Sequence, residues 1–228
     1  MLQGTKKLYM SKSSILFYTQ MNPTMLDKNS GSYPETLSRY LGHQAPKTLT
    51  AVGNPDILQS KTLAVFCSNK CPGNIILKTY DLLRQLRESG ITVISGFHSA
   101  MERECLNILL KGRQSVIICP ARSIEGMRIK PEYRKPLEDG RLLILSPFSG
   151  KEKRISLDRA VKRNYFVAAL ATAIFIHYAA PGSKTKMFCQ ELLKWGKRVY
   201  TTDDEKNTSL IETGIKTISP EISDKWYE

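Results

Sequence analysis

The sequence is poor in acid and has no long apolar run. Aspartate and glutamate number 21 against 34 lysines and arginines, leaving a formal charge of +13 over 228 residues. An excess of that size points to an anionic partner, with nucleic acid first and a membrane surface or small phosphates behind it. The competing reading is a set of Lys-rich helix faces that only water solvates. The longest apolar stretch, Tyr165 to Ala180, is too short to span a bilayer as a helix and carries Thr172 and His177. It divides better into a helix end, Phe166 to Leu170, and a buried strand, Ala173 to Tyr178. Near the start only Ile15 to Tyr18 is apolar, which is too brief for a signal-peptide core, so neither secretion nor a membrane anchor is expected.

Ligand motifs are scarce as well. The five cysteines are odd in number, and several sit in or beside apolar runs as buried thiols do, which suits a reducing cytoplasm. Cys67 and Cys71 lie four apart with no C-x-x-C and no paired histidine at zinc spacing, so no metal is expected. His43, His98 and His177 form no local ligand pattern. The G-x-G-x-x-G of a common dinucleotide site is missing, as is a complete Walker A loop, so no nucleotide cofactor is expected.

What is present is a set of six short apolar runs, each ending in small polar or basic residues: Leu63 to Lys70, Ile91 to Ser99, Ser115 to Ser123, Leu142 to Gly150, Thr172 to Thr185 and Lys197 to Asp204. Continuous β-branched runs of about 4 to 8 residues are the mark of strands buried on both faces. Helix-period stripes separate most of them, at 75–88, 101–110, 157–170 and 187–195, three of these closed by Gly90, Gly112 and Gly196. The pattern predicts an α/β fold: a Rossmann-like, doubly wound, mostly parallel sheet. Residues 1–30 read as a loosely ordered arm and 31–60 as an extension with a short helix (Ser32 to Gly42) and an alternating strand (Lys47 to Pro55). The core occupies 61–220, nothing but a short tail is expected beyond Asp204, and 221–228 close the chain.

Ligands of such sheets bind at the carboxyl ends of the strands, and four segments there carry chemistry. In the first, Ser68, Asn69 and Lys70 open a Gly-containing loop before a helix, where free amides and a partial positive charge suit a phosphate. The second, Ser95 to Ser99, holds Gly96 for close approach and Ser95, His98 and Ser99 as hydrogen-bonding groups. No nucleophile–base pairing surrounds His98, so binding fits better than catalysis, and Glu102 has the spacing of a helix cap. The third, Gly182, Ser183, Lys184 and Thr185, partly resembles a P-loop but has Ser between Gly and Lys; a phosphate cradle and a plain N-cap both remain open. The fourth is the basic run Lys151 to Asn164, able to neutralise several phosphates or simply to face water.

The order of these pieces resembles the DprA/Smf DNA-processing family from about Tyr33 to about Ile218. The matching segments are YPETLSRYLGHQAPKTLTAVGN, VISGFHSAMERECL, KRN at Lys162 to Asn164, APGSKT, GKRVYTTDD and NTSLIETGIKTI. The resemblance implies a non-enzymatic, extended Rossmann-like domain that binds single-stranded DNA in a basic pocket as a homodimer and delivers it to a RecA-type recombinase. It further implies strand or phosphate contacts from Ser68, Asn69, Lys70, Ser95, Gly96, Lys162, Arg163, Asn164, Gly182, Ser183 and Lys184. Departures from the family pattern are the displacement of the first loop's basic residue to Lys70, Ala100 and Glu102 where the family has Gly and Asp, and Leu106 in place of a helical His. The competing class is a sensor or processing enzyme for a nucleotide or other small phosphorylated ligand, which uses the same sheet edge.

Overall fold

The computed structural model describes residues 23–29, 31–68 and 70–218. Strands are β1 (Thr24–Asp27), β2 (Thr48–Gly53), β3 (Thr62–Phe66), β4 (Thr92–Ser95), β5 (Val116–Ile118), β6 (Leu142–Ser146), β7 (Ala173–Ile176), β8 (Arg198–Thr202) and β9 (Lys216–Ile218). Helices are α1 (Glu35–Leu41), α2 (Gly73–Leu86), α3 (Ala100–Leu109), α4 (Pro131–Glu138), α5 (Leu157–Leu170), α6 (Lys184–Lys194) and the single turn α7 (Thr208–Ile211). They build one sheet in the order β1-β2-β6-β5-β4-β3-β7-β8-β9. From β6 through β9 every neighbouring pair is parallel, while β2 runs antiparallel to both β1 and β6. The α/β, Rossmann-like architecture expected from the apolar runs is the one observed.

All five residues of β3 and of β6 are buried, and all four of β4 and β7, because both sheet faces are covered. The period-2 pleat sorts them. Leu63, Val65, Val93 and Phe175 pack with Leu82, Leu83 and Leu86 of α2 and Leu106 and Leu109 of α3. Ala64, Phe66, Ile94, Ile174 and Ile176 pack with Leu37 of α1, Phe166 and Val167 of α5, and Phe188 and Leu192 of α6. Each such Leu, Ile or Phe removes roughly 1.5–3 kcal/mol of unfavourable hydration. The two layers also fix the binding edge. The chain builds β3 to β6 towards one side, then returns to lay β7 on the opposite side of β3 and continues outwards through β8 and β9. The helices that follow β3 and β7 therefore lie on opposite faces of the sheet, each with its own core layer, and the switch point falls between the two strands.

Three features depart from the expectations. Thr24–Asp27, inside the stretch read as an arm, pairs with β2 as a four-residue edge strand; only Leu26 is buried, too weak a pattern to be seen. Residues 49–52 of β2 are buried without alternation because the strand lies inside the sheet, between β1 and β6. Beyond Asp204 the chain adds α7 and the edge strand β9, where Leu210 and Ile215 reach the core. Helix α4 is a further addition; its sequence PEYRKPLE is mostly polar and contains Pro136, so no apolar stripe announces it.

Candidate nucleic-acid interface

The loops after β3 and β7 meet at the switch point. The Ser68 amide donates to the Tyr178 carbonyl at 2.9 Å, and the His177 amide donates to Phe66 at 2.9 Å, extending the β3–β7 ladder past the strand ends. The Ser68 hydroxyl donates to Thr185 Oγ1 at 3.1 Å, tying the first loop to the start of α6. Ser183 caps α6 by accepting from the Lys186 amide at 3.2 Å. Gly182 sits at φ +68° with open space around it, and Lys184 is exposed. The start of α6 thus offers the amides of Lys184 and Thr185 and the exposed charge of Lys184, with exposed Lys70 on the loop that Ser68 ties to it. Ser68, Ser183 and Thr185 serve here through the frame, since their hydroxyls already have partners. Asn69 lies outside the described residues.

The loop after β4 differs more from its expected role. Ser95 is fully buried and donates its hydroxyl to the Val65 carbonyl at 2.8 Å, so it links strands and does not face a ligand. The Glu102 carboxylate accepts from the His98 amide at 2.8 Å and from the Ser99 amide at 3.0 Å, and Ser99 accepts from the Glu102 amide in a complete capping box. An anion at this helix start would compete with the protein's own carboxylate. The His98 side chain is exposed and its carbonyl accepts from Arg103 Nη1 at 2.7 Å. Phe97 between them adopts φ +47°, the sole non-glycine residue at positive φ among the described residues, and its ring is buried. That conformation costs an unbranched side chain roughly 1–3 kcal/mol, which the packed ring and the capping box offset.

Gly96 is required for a different reason. A Cβ there would lie 1.4 Å from Nη1 and 2.0 Å from Cζ of Arg163. The Arg163 guanidinium thus fills the space under the loop. It is 5% exposed, donates from Nη1 to the Cys119 carbonyl at 3.1 Å and from Nε to Asn164 Oδ1 at 2.9 Å. Burial lowers its pKa, and the nearby Glu102 carboxylate opposes that shift. Arg163, expected as a phosphate contact, is thus placed as a buried pillar under the loops after β4 and β5. Of the KRN triplet, Asn164 is half-buried and orients Arg163, and Lys162 alone is exposed, paired with Asp158 at 3.0 Å one turn away.

Exposed Lys151, Lys153 and Arg154 follow β6 and so belong to the same carboxyl edge. Their acidic neighbour Glu152 is already engaged by the Ser149 amide at 3.0 Å and by Arg159 at 3.6 Å. After β8, Asp204 is held by Lys78 and Asn74 of α2, and the bonds from Lys78 and from the Lys206 amide keep its carboxyl below the usual range. The edge thus presents Lys70, Lys151, Lys153, Arg154, Lys162 and Lys184 to solvent, whereas Glu102, Glu152 and Asp204 are engaged internally. His177, which closes β7, is buried: Thr79 donates its hydroxyl to Ile75, so its oxygen accepts from His177 Nδ1 at 3.2 Å, and burial drives the imidazole pKa to about 3. It is a neutral core residue with no access to a substrate proton. Among the described residues no group of His, Cys, Asp and Glu is placed to hold a metal, and no helix is long and apolar enough to cross a membrane.

Glu102 was legible in advance through the S-x-x-E spacing. The roles of Ser95, Phe97 and Arg163 were not, because each is set by a partner at least 30 residues away in sequence or by a local φ angle.

A doubly wound α/β domain with exposed basic residues along the carboxyl edge of its sheet is the class defined by these features. The chain belongs to the DNA recombination-mediator protein A family, whose model matches residues 24–223. Its fold is similar to that of DNA processing protein A from Streptococcus pneumoniae, with TM-score 0.71 and 17% identity over 92% of this chain and 75% of that one. It is also similar to DNA processing protein A from Helicobacter pylori, whose structure is described for its single-stranded DNA binding mode, with TM-score 0.67 and 19% identity over 86% and 90% of the two chains. The molybdenum cofactor binding protein of Rippkaea orientalis shares the core more loosely, with TM-score 0.50 and 13% identity over 71% of this chain and 91% of that one. No curated protein sequence matches the chain.

Proposed function

We propose that this protein binds single-stranded DNA across the carboxyl edge of its sheet and does not turn over nucleotides. The observation that carries the reading is the line of exposed Lys70, Lys184, Lys162, Lys151, Lys153 and Arg154 along one edge of a chain in the recombination-mediator family. One phosphate sits at the N-terminus of α6, on the Lys184 and Thr185 amides beside the Lys184 ammonium, with Lys70 on the adjoining loop. Neighbouring phosphates follow the edge past the loop after β4 towards the lysines after β6. Arg163, Gly96, Glu102 and Ser95 hold those loops at a fixed height without touching the strand. The family's role extends the proposal to a homodimer in the cytoplasm that hands its strand to a RecA-type recombinase.

The α6 subsite alone also suits a mononucleotide or small phosphorylated ligand, which is the second reading. Competition separates them. Fluorescent single-stranded oligonucleotide bound to the protein is challenged with unlabelled single strand, duplex of equal length and a panel of nucleotides. The proposal expects displacement by single strand well before duplex, and by nucleotides only at far higher concentration. Displacement by one nucleotide at the single-strand concentration, or turnover of ATP that Lys184→Ala abolishes, would replace it with the second reading.

A further inference from the structure

We propose that, on the single-strand-binding reading above, Arg122 is a further strand contact, which holds the phosphate lying between the start of α6 and the cations that follow β6. The apolar run that forms β5 ends in Arg122 and Ser123, and β5 lies in the middle of the carboxyl edge, between β4 and β6. At about 4.8 Å per strand, β3 and β6 stand roughly 14 Å apart. That exceeds the screening length of about 10 Å at 0.1 M salt, so Lys70 and Lys184 at one end and Lys151, Lys153 and Arg154 at the other act on different phosphates.

A strand that joins the two groups crosses the ends of β4 and β5. The loop after β4 keeps its charges to itself: Glu102 accepts from the His98 and Ser99 amides, and Arg103 donates to the His98 carbonyl. In the loop after β5, Arg122 is the cation nearest the strand end, four residues past Ile118.

The backbone at Arg122 is fixed from two sides. Its carbonyl accepts from Ser146 Oγ, at the end of β6, at 2.8 Å, and the amide of Ser123 donates to the Glu152 carbonyl at 2.9 Å. Ala121, Ser123 and Ile124 are buried around it, and the Glu125 carboxylate lies against Gly150, where a Cβ would strike it. The loops after β5 and β6 are thus tied together, and Arg122 adjoins the segment that carries Lys151, Lys153 and Arg154. Arg122 itself is half-buried, yet its guanidinium has no hydrogen bond or ion pair among the described residues. The acid between Lys151 and Lys153 is spent, since Glu152 holds the Ser149 amide and Arg159. Five donors held partly out of water without an acceptor favour an incoming anion, and the planar fork of a guanidinium matches two phosphate oxygens at once.

The full chain and its Arg122→Met, Arg122→Lys and Lys184→Ala variants are titrated with fluorescent single-stranded oligonucleotide over a range of salt concentrations, and thermal unfolding is followed on the same samples. Arg122→Met keeps the apolar stem and removes the charge. Its affinity is expected to fall about tenfold, and its log–log salt slope to lose about 0.7 in magnitude, with the unfolding midpoint unchanged. Arg122→Lys is expected to keep the parent's slope and lose about threefold in affinity, because an ammonium meets one oxygen where the fork meets two. An arginine that only supports the loop would lower the unfolding midpoint and leave the slope alone; that result, or parental affinity in Arg122→Met, would overturn the proposal. Should Arg122→Met fail to fold, Arg122→Lys decides, and parental affinity there would overturn it. A parent whose slope falls in Lys184→Ala but not in Arg122→Met removes Arg122 from the path and leaves the single-strand reading standing. A parent that binds no single strand removes that reading, and the role of Arg122 with it.

Discussion

Replacing Gly96 with alanine tests the pillar arrangement under the candidate site. The new methyl carbon would fall 1.4 Å from Arg163 Nη1, and the guanidinium cannot simply withdraw because it is 5% exposed and bonded to the Cys119 carbonyl at 3.1 Å. Either the loop rises or the arginine leaves its acceptor. Overpacking of this kind costs roughly 1–3 kcal/mol, and loss of a buried hydrogen bond from a charged donor adds about 1.5–3 kcal/mol, so a destabilisation of roughly 3–5 kcal/mol is expected. Urea unfolding followed by circular dichroism measures it. Gly182→Ala supplies the contrast: its surroundings are open and only the φ of +68° opposes a side chain, so the cost is about 1–2 kcal/mol. A double-mutant cycle isolates the clash, because in an Arg163→Ala background Gly96→Ala has nothing to strike and the coupling between the two sites is the same roughly 3–5 kcal/mol. If Gly96→Ala costs less than Gly182→Ala, or its cost is unchanged without Arg163, the pillar account is refuted.

Three further outcomes follow from the same geometry. His177 has its pKa driven from 6.5 to about 3 by burial, so the unfolded chain binds the extra proton between those values; stability is complete above pH 6.5 and falls as pH drops, by at most about 1.4 kcal/mol per pH unit from this group, a slope that His177→Gln should flatten in urea midpoints measured across pH 4 to 7. Glu102→Ala removes the capping box and should cost about 0.5–2 kcal/mol in thermal unfolding while freeing the His98 and Ser99 amides, so sulfate protects the variant more than the parent; equal protection would refute the competition between Glu102 and an anion. Lys184→Ala should leave the unfolding midpoint within about 0.5 kcal/mol of the parent, as a surface substitution does, while weakening single-strand binding of every sequence alike.

The fold was legible because buried parallel strands write their burial directly into the sequence. Leu63 to Phe66, Leu142 to Leu145 and Ala173 to Ile176 are continuous apolar runs, and the helices between them carry stripes such as Leu82, Leu83 and Leu86. Elements whose stability comes from a neighbour were not legible: β1 contributes one buried residue to the edge of β2, and β9 depends on β8 for its pairing. At the site, the loops themselves were readable from their small and basic residues, and the Ser99–Glu102 cap from its spacing. Residue type did not reveal direction. Ser95 and Arg163 look like ligands in a sequence, yet one points under Val65 and the other under Gly96, contacts that bring together positions 30 and 67 residues apart in the chain.

The salt dependence of single-strand affinity tests the central claim most directly. Neutralising about four phosphates along the Lys70, Lys184 and Lys151 edge gives a log–log slope near −2.8, so raising monovalent salt from about 50 to about 200 mM should weaken binding roughly fiftyfold. Lys184→Ala should reduce the magnitude of that slope by about 0.7. A slope near zero, or the same slope in Lys184→Ala as in the parent, would contradict the assignment of this edge as the strand-binding surface.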